Sequence, residues 1–204
     1  VDIHWHEIPG DHTEAGFDFR GQGMLIKQQA IGIIESSREK RESLAKRIQK
    51  MMEIRAIDPL ANRILWHDLE AERHAIEKAI PNVVSVYGSQ DDETKAERII
   101  GFSDGQYQEL AGKPQMLGSG CNFQRHCSWA IFLGIGFKFN DFIQAIHRIH
   151  RFLQPNRVRI DLIYTEQERE VRRILEQKWE QHKITVAKMT EIIKENGLSA
   201  VAMQ

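Results

Sequence analysis

The stretch QAIHRIHRFLQ, residues 144–154, carries Arg148 and Arg151 three positions apart among isoleucines and a phenylalanine. An arginine presents a planar fork of N–H donors that keeps its charge, a geometry that suits the oxygens of a phosphate or a carboxylate. On a helical wheel Gln144, His147, Arg148 and Arg151 share one face at i, i+3, i+4 and i+7. Phe142, Ala145, Ile146, Ile149, Phe152 and Leu153 share the other. Asn140 stands where an N-cap belongs and Pro155 just past the end, so the spacing predicts one helix over 140–154. No carboxylate lies three or four positions from either arginine. Two readings stay open: pairing with carboxylates brought in by the fold, or a stripe of donors held out toward phosphate.

The surrounding chain alternates strand and helix. RILWHDL is an apolar strand, and EAERHAIEKAI a helix with Ala71, Ala75, Ile76 and Ala79 as its apolar face. NVVSVYG is a β-branched strand closed by Gly88; DDETKAERIIGFSDG is a helix with acids at its start and Gly105 at its end. SWAIFLG is a strand, followed by the arginine helix and the strand VRIDLIY. EQEREVRRILEQKWEQH predicts a helix with Val171, Ile174, Leu175 and Trp179 on one side, and ITVAKMTEIIKENGL a further helix stopping at Asn196 and Gly197. Ahead of these lie a short strand, VDIHWHE, a glycine-containing loop, and a proline-free run over 24–55 with helical spacing. The expectation is an α/β fold: a parallel sheet with helices on both faces, plus a long N-terminal helix and C-terminal helices. In such sheets the working residues gather at the carboxyl ends of strands. That directs attention to the loop into SGCNFQ and the helix after SWAIFLG.

Composition narrows the function classes. The 28 Lys and Arg against 29 Asp and Glu leave no overall field for a polyanion, so any nucleic-acid contact must be local. No apolar run approaches the roughly 18 residues of a membrane span, and no signal-peptide pattern opens the sequence, so a cytoplasmic protein without a membrane partner is expected. Cys121 and Cys127 are too few for a disulfide framework. With His126 they do not assemble a four-ligand zinc site, so no metal is expected. His4, His6 and His12 are read as strand or loop residues without chemistry. In SSREKRESLAKR and beyond, Arg38, Lys40, Arg41, Lys46, Arg47 and Lys50 form either a solvated helix face or a basic helix near a phosphate backbone. The first residue is Val1, and a piece of a longer protein is expected.

QAIHRIHRFLQ resembles motif VI of superfamily 2 helicases, most closely the form in SNF2-like translocases, with Gln144, Arg148, His150, Arg151 and Gln154 on the matching positions. GSGCNFQ resembles the Gly-x-Asn core of motif V through Gly120 and Asn122, with Gln124 following. RILWHDLEAERHAIEKAI resembles the motif IV strand and helix, and GFSDGQ the Phe-x-x-Gly that precedes motif V. The resemblance covers roughly 56–181 and extends to SNF2-like helicases of bacteria, phages and mobile elements, some of which accompany DNA methylases or anti-phage systems. Two departures stand out. Lys113 and Pro114 in GKPQMLGSG occupy positions of hydroxyls that touch the DNA backbone in relatives, and Leu153 replaces a glycine of motif VI.

The resemblance implies a RecA-like C-terminal lobe over 56–181, an N-terminal segment 1–55 of accessory or interlobe character, and a helical extension over 182–204. It implies that Arg148 and Arg151 are arginine fingers for ATP hydrolysis, Arg151 foremost. Gln144, His147, Gly120, Asn122, Gln124 and Gln154 would contact nucleotide or the interlobe network; Lys113 and Ser119 would contact DNA. No phosphate-cradling loop of the form GxxxxGK[ST] is present, and AGKP is not one. ATP and Mg2+ would therefore be bound mainly by a first lobe outside this chain, and the chain alone would be inactive. The partners implied are that lobe and double-stranded DNA. A non-catalytic helicase-like nucleic-acid-binding or assembly module is the alternative. A small-molecule α/β enzyme is a third option, with His147 and His150 as its only candidate bases.

Overall fold

The computed structural model describes residues 1–10, 41, 43–117, 121–136, 138–151 and 154–196. Residues 11–40, which hold His12, Arg38, Lys40 and most of the expected long helix, lie outside the described residues, as do Ser119, Gly120, Phe152, Leu153 and Gly197.

Among the described residues six strands form one parallel sheet: β1 (Asp2–Ile8), β2 (Arg63–Trp66), β3 (Val84–Val86), β4 (Glu109–Gly112), β5 (Trp129–Phe132) and β6 (Arg159–Thr165), in the spatial order β1-β6-β5-β2-β4-β3. The helices are α1 (Leu44–Arg55), α2 (Glu70–Ala79), α3 (Asp92–Ser103), α4 (Phe139–Ile146) and α5 (Arg169–Asn196). Because successive strand residues point to opposite faces, each central strand feeds two cores. Ile64 and Trp66, Ala130 and Phe132, and Ile160 and Leu162 join Phe102 of α3, Phe142 and Ile146 of α4, and Leu175 of α5. Leu65, Ile131 and Ile163 join Met51 and Ile54 of α1 and Ile76 of α2 on the other face. The sheet is thus covered on both sides, which is why its strands read as unbroken apolar runs. At the exposed edge of β3, the Ser85 carbonyl accepts from Arg98 at 2.6 Å and Gln90 at 3.1 Å, which blunts that edge against further pairing.

The structure corrects several expectations. β4 was not foreseen: ELAG is short, lacks β-branched residues and ends in glycine, yet it pairs with both β2 and β3 inside the sheet. The expected C-terminal pair of helices is one helix of 28 residues, with neither glycine nor proline to interrupt it. β1 pairs with β6 along its full length, α1 packs on the sheet, and position 182 lies inside α5. On α2, Ala71 is exposed, whereas Glu72 and Arg73 are buried beside Ile76.

The arginine helix is also shorter than expected. Its N-cap is Lys138, with Asn140 already inside, and it ends at Ile146. From there the amides of Arg148 and Ile149 bond three residues back, to Ala145 and Ile146, and the Arg148 carbonyl accepts the Phe123 amide at 2.9 Å. Tertiary pairing takes the acceptor that a continuing helix would use, and Ile149 is driven into the core.

Candidate functional site

The turn that follows α4 holds the two arginines. Arg148 is half-buried, and its Nε is enclosed without a hydrogen-bond partner; Arg151 is exposed. Neither forms an ion pair among the described residues, so these supply no carboxylate for either. Gln154 locks the turn from behind. Its amide donates to the carbonyls of Cys127 at 3.0 Å and Ile149 at 2.8 Å, and its oxygen accepts from the Asn156 amide at 3.0 Å. Asn122 is exposed and its carbonyl accepts from Ser103 Oγ at 2.8 Å. Gln124 is half-buried with its side-chain oxygen unpartnered. The Phe123 bond to Arg148 therefore joins the Asn122–Gln124 stretch to the arginine turn.

Rings brace the turn from α5. His147, exposed, stacks on His150 with centroids 6.3 Å apart and meets His182 edge-on at 6.2 Å. His182 in turn stacks on Trp179 at 5.8 Å. Sequence reasoning placed Trp179 on the packing side of its helix and assigned His182 nothing; the ring contact depends on a crossing of two helices that periodicity does not encode. Gln144 is exposed on α4. Burial lowers the His150 pKa, with His147 adding to the effect. The Cys121 thiol is raised by burial, partly offset by Arg148.

This cluster lies at the amino edge of the sheet. Cys127 and Ser128 lead directly into β5, and the Arg159 amide donates to Ser128 at 2.8 Å where β6 begins. α4 starts beyond the carboxyl end of β5 and carries the chain back, so residues after its end reach the opposite edge. Among the described site residues, Lys113 alone meets the expectation of a carboxyl-edge site. It follows β4 directly, half-buried, with its Nζ 3.4 Å from Glu70. Glu70 also accepts from Arg73 at 2.8 Å, and the Arg73 guanidinium lies 4.0 Å over the Tyr87 ring. Beside Lys113, at the end of β2, His67 is fully buried and neither ring nitrogen has a hydrogen-bond partner. Burial, reinforced by the Lys113 charge, lowers its pKa to about 4, so it is neutral at pH 7. His67 was missed because RILWHDL reads as a plain strand; the imidazole directly after the apolar run was the available signal.

Other candidates are structural. Arg47, one of the residues weighed as a phosphate contact, has no exposed surface: it donates to Ser43 Oγ, the carbonyls of Leu133 and Ile163, and Glu168 at 2.7 Å. Lys46 reaches the Gly10 carbonyl at 3.3 Å, and Lys50 pairs with Glu53. His6, read as carrying no chemistry, donates from Nε2 to the buried Asp161 at 2.7 Å. Trp129 Nε1 and Arg159 also bond Asp161, and together these partners outweigh its burial and hold its pKa down at about 2. Arg63 and Arg159 lie over the Trp129 ring at 4.6 and 4.5 Å, and Glu109 takes Arg63 and Arg55. Burial pushes the Cys127 thiol up to about 12, which keeps it protonated. Among the described residues no three His, Cys, Asp or Glu side chains are grouped to hold a metal ion, and no helix is long and apolar enough to cross a membrane.

No family model matches the chain, and no curated protein matches it in sequence. Solved structures match it in fold. The C-terminal part of the Fun30 ATPase domain superposes with a TM-score of 0.56 at 17% identity, over 67% of this chain and 46% of that one. The C-terminal domain of the DEAD-box protein Dbp5 gives 0.55 at 12%, over 66% and 79%. A Dbp5 variant from S. cerevisiae bound to RNA and ADP BeF3 gives 0.57 at 14%, over 71% and 42%. The chain thus spans less than half of the Fun30 fragment. At these identities the likeness establishes the fold: a RecA-like α/β sheet of the kind found in the C-terminal domains of helicase ATPases.

Proposed function

We propose that this chain is the second RecA-like lobe of a superfamily 2, SNF2-like DNA translocase or helicase, and that Arg148 and Arg151 act on ATP bound by a first lobe outside the chain. The observation that carries the reading is the arginine turn: two guanidinium groups with no carboxylate partner among the described residues, tied to the Asn122–Gln124 stretch by the Phe123 to Arg148 bond. The fold likeness to helicase C-terminal domains supports it. A triphosphate with Mg2+ supplies a γ-phosphoryl group that gathers negative charge as it passes to water. The unpartnered Nε of Arg148 and the open fork of Arg151 suit phosphate oxygens, and a cation that arrives without a competing carboxylate delivers its full charge there. Gln154 serves the same chemistry indirectly, by fixing the turn through its backbone bonds. The acidic metal ligands would come with the first lobe. Lys113, released from Glu70, would contact the DNA backbone from the other sheet edge.

The test is DNA-stimulated ATP hydrolysis by the full-length protein, wild type beside Arg151→Ala. Loss of turnover with folding and DNA binding intact is expected. Undiminished turnover overturns the finger role, and absence of turnover in the wild type favours a helicase-like scaffold.

A further inference from the structure

Several surface cations among the described residues are held by a neighbouring carboxylate: Lys95 by Asp92, Arg169 by Glu7, Arg173 by Glu170 and Lys183 by Glu180. Lys138 and Lys178 are exposed and form no such pair among the described residues. Both line one open groove of about 500 Å3 between the start of α4 and the middle of α5, whose other polar walls are Asn140, Gln181, His182 and Thr185. No carboxylate lines it. The acids beside these residues in sequence are engaged elsewhere, Asp141 by Gln115 Nε2 at 2.6 Å and Glu180 by Lys183 at 2.7 Å. Along α5 the pattern continues, since Lys178, Gln181, Thr185 and Lys188 fall on one helical face, a stripe roughly 15 Å long at 1.5 Å per residue.

We propose that this groove and the α5 face beyond it bind the phosphate backbone of a nucleic acid, a contact surface that adjoins the arginine turn through His182 and is distinct from the two arginines and from Lys113. Lysine point charges on a helix, with amide and hydroxyl groups between them, make contacts that position a backbone without reading its bases. Charge complementarity selects the polyanion: two unpaired cations share a groove free of acids on a chain whose net charge is -1. The identity of the polymer rests on the helicase-lobe reading; the cationic groove does not.

The experiment measures binding of a fluorescein-labelled DNA duplex to the full-length protein by anisotropy across a KCl series. Lys138→Ala with Lys178→Ala is expected to reduce the slope of log affinity against log salt by about 1.8, at about 0.9 per phosphate contact, for duplexes of any sequence. Lys183→Ala removes one charge from α5, as Lys178→Ala does, but from a side chain paired with Glu180, and is expected to leave the slope in place. An unchanged slope in the double variant, or an equal change in Lys183→Ala, overturns the groove. Either result leaves the lobe reading standing if Arg151→Ala still abolishes DNA-stimulated turnover. A wild-type protein that binds no duplex overturns the groove, and turnover that ignores DNA overturns the lobe reading.

Discussion

Arg47 on α1 and Arg151 past the end of α4 both come from basic stretches that raised the question of phosphate binding, and the fold treats them in opposite ways. Arg47 has no exposed surface and donates to a serine, two strand-end carbonyls and Glu168. Arg151 is exposed and has no ion-pair partner among the described residues. Burying a guanidinium is costly unless its donors are satisfied, so Arg47 carries a full set of acceptors and clamps α1 to the ends of β5 and β6. An arginine without acceptors of its own has its charge available to something outside the chain. Partner state, rather than residue type, separates the two roles.

The largest expected effect is on the unpartnered side. Arg151→Ala in the full-length protein should lower DNA-stimulated turnover by about 10³-fold or more, roughly 4 kcal/mol of transition-state stabilisation, without shifting the melting temperature. A parallel loss of stability would make Arg151 structural and erase the contrast. On the partnered side, Arg47→Met should destabilise this chain by about 3–5 kcal/mol in urea unfolding, because Glu168 is left buried without its counter-charge. Wild-type stability in that variant would mean that the Arg47 network adds nothing net.

A third prediction uses pH. The folded pKa of His67, about 4, lies below its ordinary 6.5, so the unfolded chain binds the extra proton between those values. Stability from this group is therefore complete above about pH 6.5 and falls as pH drops toward 4, by about 3 kcal/mol. His67→Leu should remove that dependence, and identical pH profiles for the two proteins would refute it. The smallest effect concerns Lys113. Glu70→Gln should change stability by less than about 1 kcal/mol, since the pair is partly exposed. The same substitution frees the lysine and should tighten DNA binding in the salt-series assay; weaker binding would count against Lys113 as a phosphate contact.

How legible these features were depended on how local their causes are. β2, β5 and β6 announce themselves because their side chains are buried on both faces and read as apolar runs. β4 could not, since Glu109 and Gly112 are tolerated only by what surrounds them: Glu109 sits between Arg55 and Arg63, and Gly112 has Leu117 close against it. The end of α4 was hidden for a similar reason. Nothing in HRIHR breaks a helix; the Phe123 amide, 25 positions upstream of Arg148, takes the carbonyl that the next turn would need. The face shared by Gln144, His147, Arg148 and Arg151 on an ideal helix is therefore split between a helix and a turn.

Residue order alone determined the alternation of strand and helix, the candidate arginines and their association with Asn122, because periodicity and motif spacing are local properties of the chain. Tertiary structure alone decided which cations keep their charge available. It buried Arg47 and Arg63 among acceptors, paired Lys113 with Glu70, and left Arg148, Arg151, Lys138 and Lys178 without an ion pair among the described residues. Whether a charge meets a counter-charge depends on distances across the fold, which sequence spacing does not carry.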